Sequence, residues 1–167
     1  MSQINVDTIA TAAGVEQARL VQVQTVSKTD VFTTTSTSFV DVTGLTKAIT
    51  TTDAANTVLV LFQLWSGADD RCFVNLVRGS TAINLGGASG SRTACAGVGM
   101  SGAEKAYQLR YVGGAFVDSP GSAAAHTYKI QIRANSGTGS VNATQENSDS
   151  AISTLTASNI VLMEIRT

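Results

Sequence analysis

The run Asn159 to Thr167, reading NIVLMEIRT, constrains this chain more than any other stretch. Ile160, Val161, Leu162, Met163 and Ile165 are apolar, and among them only Glu164 is polar. The run is far shorter than the ~20 residues a membrane-spanning helix needs. Its β-branched residues, and the turn-like STLTASN before it, predict a strand buried on both faces. A period of two puts Val161, Met163 and Ile165 on one face and Leu162 and Glu164 on the other. Such a strand must close the fold, and the rest of the chain has to supply neighbours on both sides.

The composition says what those neighbours are. Only 14% of the residues are charged, against 43% hydrophobic. Typical soluble domains carry about 25% charged residues, so much of the polar surface here must be neutral Ser, Thr, Asn and Gln. With 15 Gly and one Pro, that mixture predicts an all-β domain with polar turns. A chain of 167 residues buries roughly 70% of its unfolded surface, enough for one domain with a short appendage. The net charge of −1 offers no field for nucleic acid and no polybasic patch for anionic lipid. Neither partner is expected, nor is membrane insertion. The opening MSQINVDTIATAAG lacks the basic and apolar segments of a secretory leader, which predicts assembly in a reducing cytoplasm. Cys72 and Cys95 are then expected as small, buried free thiols. A disulfide is the lesser reading, and two Cys with one His make an incomplete metal set.

Residues 1–19 differ from the rest. Ile4, Val6 and Ile9 alternate briefly, and Ala12 to Arg19 could make two helical turns weakened by Gly14. This stretch has too little apolar surface to fold alone, so it reads as an arm that orders against a partner. From residue 20 to 167 the pattern is strand and turn. LVQVQTV alternates. TTTSTSFVDVTGL is followed by a turn at Gly44, and LTKAITTT gives a further strand. Val58 to Leu64 is a second apolar run, expected as a central strand ended by Trp65 and a turn at 66–70. RCFVNLVR and TAINL flank Gly79-Ser80, a dipeptide suited to a two-residue hairpin. Residues 86–103 are rich in Gly and Ala, Pro120 lies in a loop, and YKIQIRA alternates before a turn at Asn135-Ser136-Gly137. Strands with turns every ~8–15 residues predict an antiparallel β-sandwich, and a jelly roll fits best.

No catalytic constellation stands out. Asp69-Asp70 could offer oxygens to Ca²⁺, but no DxDxDG pattern supports it and two solvated turn acids are the simpler reading. Glu104, Asp118, Glu146 and Asp149 sit in turn-like contexts rather than as a glycosidase pair. His126 is the single histidine, and no GxSxG elbow accompanies it. The Gly-rich stretch lacks the GxxxxGK[ST] of a phosphate cradle and reads better as a close-packed loop between subunits. No enzyme, cofactor or metal is expected. Glu164 either needs a partner or water, with Arg78, Arg110 and Arg133 of this or a neighbouring subunit as the candidates, or points to solvent at the sheet edge. Trp65, Tyr107, Tyr111 and Tyr128 could stack on sugars, with core packing expected for Trp65 and Tyr128. Loops 66–70, 86–103 and 118–126 are candidate receptor contacts.

The segments TTTSTSFVDVTGL (33–45), NLVRGSTAI (75–83), GSRTA (90–94), FVDSP (116–120), TYKIQIR (127–133) and NIVLMEI (159–165), in this order and spacing, resemble small β-sandwich domains of tailed-bacteriophage virion proteins. Such domains often cap tail fibres. The likeness spans residues 20–167, and INVDTIATAAG (4–14) is similar to the virion-attachment start of fibre proteins. The resemblance implies a trimeric jelly roll carried on the virion. It implies attachment to other virion proteins through Ile4, Val6 and Ile9, and a head that contacts a host glycan or protein. Leu162 and Glu164 are expected at the trimer interface. The chain departs from fibres in having almost no shaft between arm and head, so a capsid cement or decoration protein is the alternative.

Overall fold

A computed structural model describes residues 18–99 and 107–166. These residues form two antiparallel sheets packed face to face, the expected all-β sandwich. The first sheet holds β1 (Arg19–Lys28), β2 (Phe32–Thr34), β4 (Thr57–Ala68), β8 (Arg110–Asp118), β10 (Gly139–Val141) and β11 (Ser158–Arg166). The second holds β3 (Val40–Thr50), β5 (Cys72–Arg78), β6 (Thr81–Ile83), β7 (Gly97–Val98) and β9 (Ala125–Ala134). Three rows are interrupted. β10 and β11 share one edge of β4, with β8 on its other edge. β2 pairs with β10 and β1 with β11, so they too share a row. β6 and β7 share the free edge of β5. Counted as rows along the chain, the sheets read 1-8-3-6 and 2-7-4-5, the double Greek key of a jelly roll.

The closing run Asn159 to Ile165 is internal, as its apolar character requires. It pairs with β1 through Met163↔Val23 and with β4 through Met163↔Leu59. Only one of its faces enters the core, however. Ile160, Leu162 and Glu164 are buried, while Val161, Met163 and Ile165 are half-exposed. The core lies between Val58, Val60, Phe62 and Leu64 of β4 and Val74, Leu76, Ile130 and Ile132 of the second sheet. Each such side chain contributes roughly 1.5–3 kcal/mol by leaving water.

A polar link centred on Asp118 crosses the sandwich. The Asp118 carboxylate accepts hydrogen bonds from Arg78 Nη1 and Tyr128 OH, both at 2.6 Å. Burial, and then the adjacent Asp118 carboxylate, push the Tyr128 phenol far above its usual range. Asp118 thereby ties β8 to β5 and β9.

Three local readings of the sequence are corrected. Gly44 does not end a strand. It sits at φ +89° inside β3, where the pairing register with β9 shifts between Asp41 and Thr46. A glycine bulge bends one long strand here. Ser66, Gly67 and Ala68 are not a turn but the buried end of β4, and the turn begins at Asp69. A Cβ on Gly67 would lie 2.7 Å from the Ala143 carbonyl oxygen and 2.8 Å from the Gln145 nitrogen, so only glycine admits that chain. Cys95 is half-buried rather than buried, while burial pushes the Cys72 thiol up to about 11. Gly79-Ser80 does form the two-residue hairpin, with Gly79 at φ +60° and Arg78 paired to Thr81.

The sandwich has two unlike ends. Arg19 pairs with Arg166, so β1 starts and β11 finishes at one end, alongside the 51–56, 79–80 and 119–124 connections. The 35–39, 69–71 and 135–138 connections lie at the other.

Candidate functional site

Alternate residues of β1, β11, β4 and β8 point away from the core, and the pairing aligns them in rows across the first sheet. Leu20, Ile165 and Thr57 form one row. Val23, Met163, Leu59 and Val117 form the next, then Thr25, Val161, Leu61 and Ala115. None of these side chains is ionisable. Leu20 is 55% exposed, Val23 43% and Val117 56%. Ser27, Asn159, Gln63 and Gly113 follow as a neutral polar row. Beyond them Trp65 meets Tyr111 edge to face, with ring centroids 5.5 Å apart.

The outer face of the second sheet is chemically opposite. Lys129 Nζ and Gln131 Nε2 donate to the Asp41 carboxylate at 2.8 and 2.7 Å. These bonds, that from Lys129 first, hold Asp41 below its ordinary value. The Arg133 guanidinium lies 4.2 Å from the Phe73 ring centroid and donates to Thr93 Oγ1 at 2.8 Å. Ladders of this kind suit a face bathed in water. The rows from Leu20 to Val117 have no such equipment and leave a contiguous, largely apolar strip on the first sheet.

The residues expected at a trimer interface lie elsewhere. Leu162 and Glu164 are fully buried inside the single chain. The face of β11 that they share points at the core, and the open face is that of Val161, Met163 and Ile165. Nor does any of the three candidate arginines pair with Glu164. Arg78 is engaged by Asp118, Arg133 lies over Phe73, and Arg110 begins β8 opposite Ser66, far along β4. Neutral donors surround the acid instead. Its carboxylate accepts from Asn56 Nδ2, the Thr52 backbone N–H and Gln22 Nε2, each at 2.6 Å, and from Thr52 Oγ1 at 2.8 Å. Burial by itself would raise the Glu164 pKa. The hydrogen bonds, led by Asn56, together outweigh it and hold the group below its ordinary 4.5. Gln22 also donates to the Thr50 carbonyl at 2.7 Å, so the cluster joins the first sheet to the end of β3.

Other candidates resolve into structural roles. Asp69 Oδ2 accepts from the Thr138 N–H at 2.6 Å, and Asp70 Oδ2 from Asn135 at 2.6 Å, so both acids order the facing turn. His126 Nε2 lies 3.0 Å from the Ser122 carbonyl oxygen. Ser122 Oγ lies 3.4 Å from the same nitrogen, an exposed local pairing between the 119–124 loop and β9. Tyr128 is core, whereas Trp65 faces outward and is only half-buried. The three candidate receptor loops do not converge. The 69–71 turn and the 119–124 loop occupy opposite ends, and the described part of the Gly-rich stretch runs along the free edge of β5. The 142–157 excursion between β10 and β11, which the sequence reading did not single out, forms a groove of ≈ 290 Å³. Asn147, Ser148, Asp149, Ser153 and Thr154 line it, a set rich in hydroxyls. Ile4, Val6, Ile9 and Glu104 lie outside the described residues.

No family model matches the chain, and no curated protein matches it. Among solved structures, a chain from "Structure of infectious bursal disease virus Gx strain" is similar at 12% identity and a TM-score of 0.38. The likeness covers 99% of this chain and 44% of that one. Neither value reaches the level at which a likeness carries function. No helix among the described residues is long and apolar enough to cross a membrane.

Proposed function

We propose that this chain is a virion structural protein of a tailed bacteriophage, a short fibre-type appendage assembled as a homotrimer. The arm at residues 1–19 attaches it to the particle, and the jelly-roll head contacts a host-surface glycan or protein. Its role is mechanical and adhesive, not enzymatic. The resemblance of residues 20–167 to phage head domains motivates the reading. The observation that carries it is the polarity of the sandwich. The described chain enters at Ala18 and leaves at Arg166 on one end, which frees the other end to face away from the particle. The hydroxyl-lined groove at 144–155 offers hydrogen-bonding groups of the type that sugars use. Three copies would present three weak sites together, and such multivalency raises avidity without new contacts.

Capsid cement is the second reading, and one observation favours it. The connections 69–71 and 135–138 at the far end are tight turns that offer a receptor little area. Immunogold labelling of intact particles decides between them. Label at tail or fibre tips, with purified protein binding host cells, supports the appendage. Label over the whole shell, with shells that lose heat resistance when the gene is deleted, supports cement. Absence of label from particles sinks both.

A further inference from the structure

We infer that copies of this chain pack on one another through the outer face of the β1–β11–β4–β8 sheet, burying the rows of Val23–Met163–Leu59–Val117 and Thr25–Val161–Leu61–Ala115. The occupant of that face is a second copy of the same chain. The inference does not depend on the virion reading, because the contact forms in solution.

Four features of the sheet point to self-association. The first is area. With strands about 4.8 Å apart and same-face residues about 6.8 Å apart, the three largely apolar rows cover roughly 350 Å². Including the neutral polar row and the Trp65–Tyr111 pair brings the face to roughly 550 Å². A standard interface takes about 800 Å² from each partner. The second is charge. The face carries no Asp, Glu, Lys, Arg or His side chain, so an identical copy can lie on it near neutral pH without stranding an ion, whereas a charged partner would lose hydration and gain no counter-ion. The third is layout. An apolar centre, a neutral polar margin and an aromatic pair at one end reproduce the core-and-rim anatomy of protein interfaces. The fourth is continuity with the edge. Leu20 and Val21, 55% and 38% exposed, carry the apolar surface onto the free edge of β1. Covering β1 also protects an edge strand that would otherwise template aggregation.

Sedimentation equilibrium on the full chain tests this. The wild type should have a mass that is a multiple of its 17.2 kDa chain. Val23→Lys and Val117→Asp sit on exposed strand positions, and each should weaken association by at least about tenfold through a buried unpaired charge. Thr127→Lys, exposed on the outer face of the second sheet, should leave the mass unchanged. Far-UV circular dichroism checks that each variant is folded. Should Val23→Lys fail that check, Thr25→Lys in the adjacent row serves in its place. A monomeric wild type at all concentrations overturns the inference and the homotrimer of the proposed function together, while incorporation into particles, read by immunogold labelling, is decided separately. Folded Val23→Lys and Val117→Asp proteins that associate as tightly as wild type overturn it equally, as does dispersal by Thr127→Lys.

Discussion

Glu164 shows how a single residue can be legible in the sequence while its chemistry is not. An acid in the most apolar run of the chain demands compensation, and cations were the natural expectation. Asn56, Thr52 and Gln22 supply it instead, from more than a hundred residues away. Neutral donors satisfy a carboxylate without bringing a second charge out of water, which avoids half the desolvation cost of a buried ion pair. Replacing Glu164 with Gln removes the charge and turns one acceptor into a donor facing the donors of Asn56 and Gln22. The expected loss is about 2 kcal/mol at neutral pH, measured by urea denaturation. The pH dependence has a definite sign. The folded pKa lies below the ordinary 4.5, so the contribution is complete above that pH and is lost as pH falls through the folded value. The stability gap between wild type and Glu164→Gln should therefore close progressively below pH 4.5. A gap that is constant with pH would mean that the charge of Glu164 has no part in it. Cys72 offers a second residue-scale check. It is buried and its thiol is pushed up to about 11, so an alkylating reagent at pH near 8 should label Cys95 alone in the native protein and both thiols in denaturant. Fast native labelling of Cys72 would contradict the packing around β5.

At the scale of the element, strand identity was readable wherever apolar and polar residues alternated or ran together. β4, β5, β9 and β11 all appear where YKIQIRA-like or VLVLFQL-like patterns predict them. Their limits were less readable, because limits depend on what packs nearby. Gly44 and Gly67 look like turn residues in sequence, yet one forms a bulge and the other lets a neighbouring backbone approach. β7, two residues in a Gly- and Ala-rich stretch, has no side-chain pattern to betray it. The facing of β11 was also hidden. When both faces of a strand are apolar, a period of two separates them but cannot say which one meets the chain's own core. That is why Leu162 and Glu164 were expected at an interface that Val161 and Met163 are better placed to form. Gly67→Ala tests the close approach of β4 to the 143–145 segment. The added methyl should cost about 1–3 kcal/mol, read as a lower denaturation midpoint with an unchanged slope. A neutral result would show that the 143–145 backbone yields freely.

At the scale of the whole molecule, the two outer faces divide the labour. The second sheet turns Asp41, Lys129, Gln131 and Arg133 to solvent, and the first turns Val23, Met163, Leu59 and Val117. The described chain begins at Ala18 and ends at Arg166 on the same end of the sandwich, the end proposed to face the particle. The strand β1 begins at Arg19, so a deletion meant to remove the arm alone should stop at residue 17. That truncated protein should fold and self-associate like the full chain, and should fail to enter particles when the gene is complemented. Incorporation at normal copy number would remove the arm from the account. The claim beneath all of this is that an uncharged sheet face exists to be covered by its own kind. A dilution series of the wild-type full chain by sedimentation equilibrium tests it most directly. A mass of more than one 17.2 kDa chain, three chains for the proposed homotrimer, should hold down to low micromolar concentration. A single-chain mass throughout the series would contradict it.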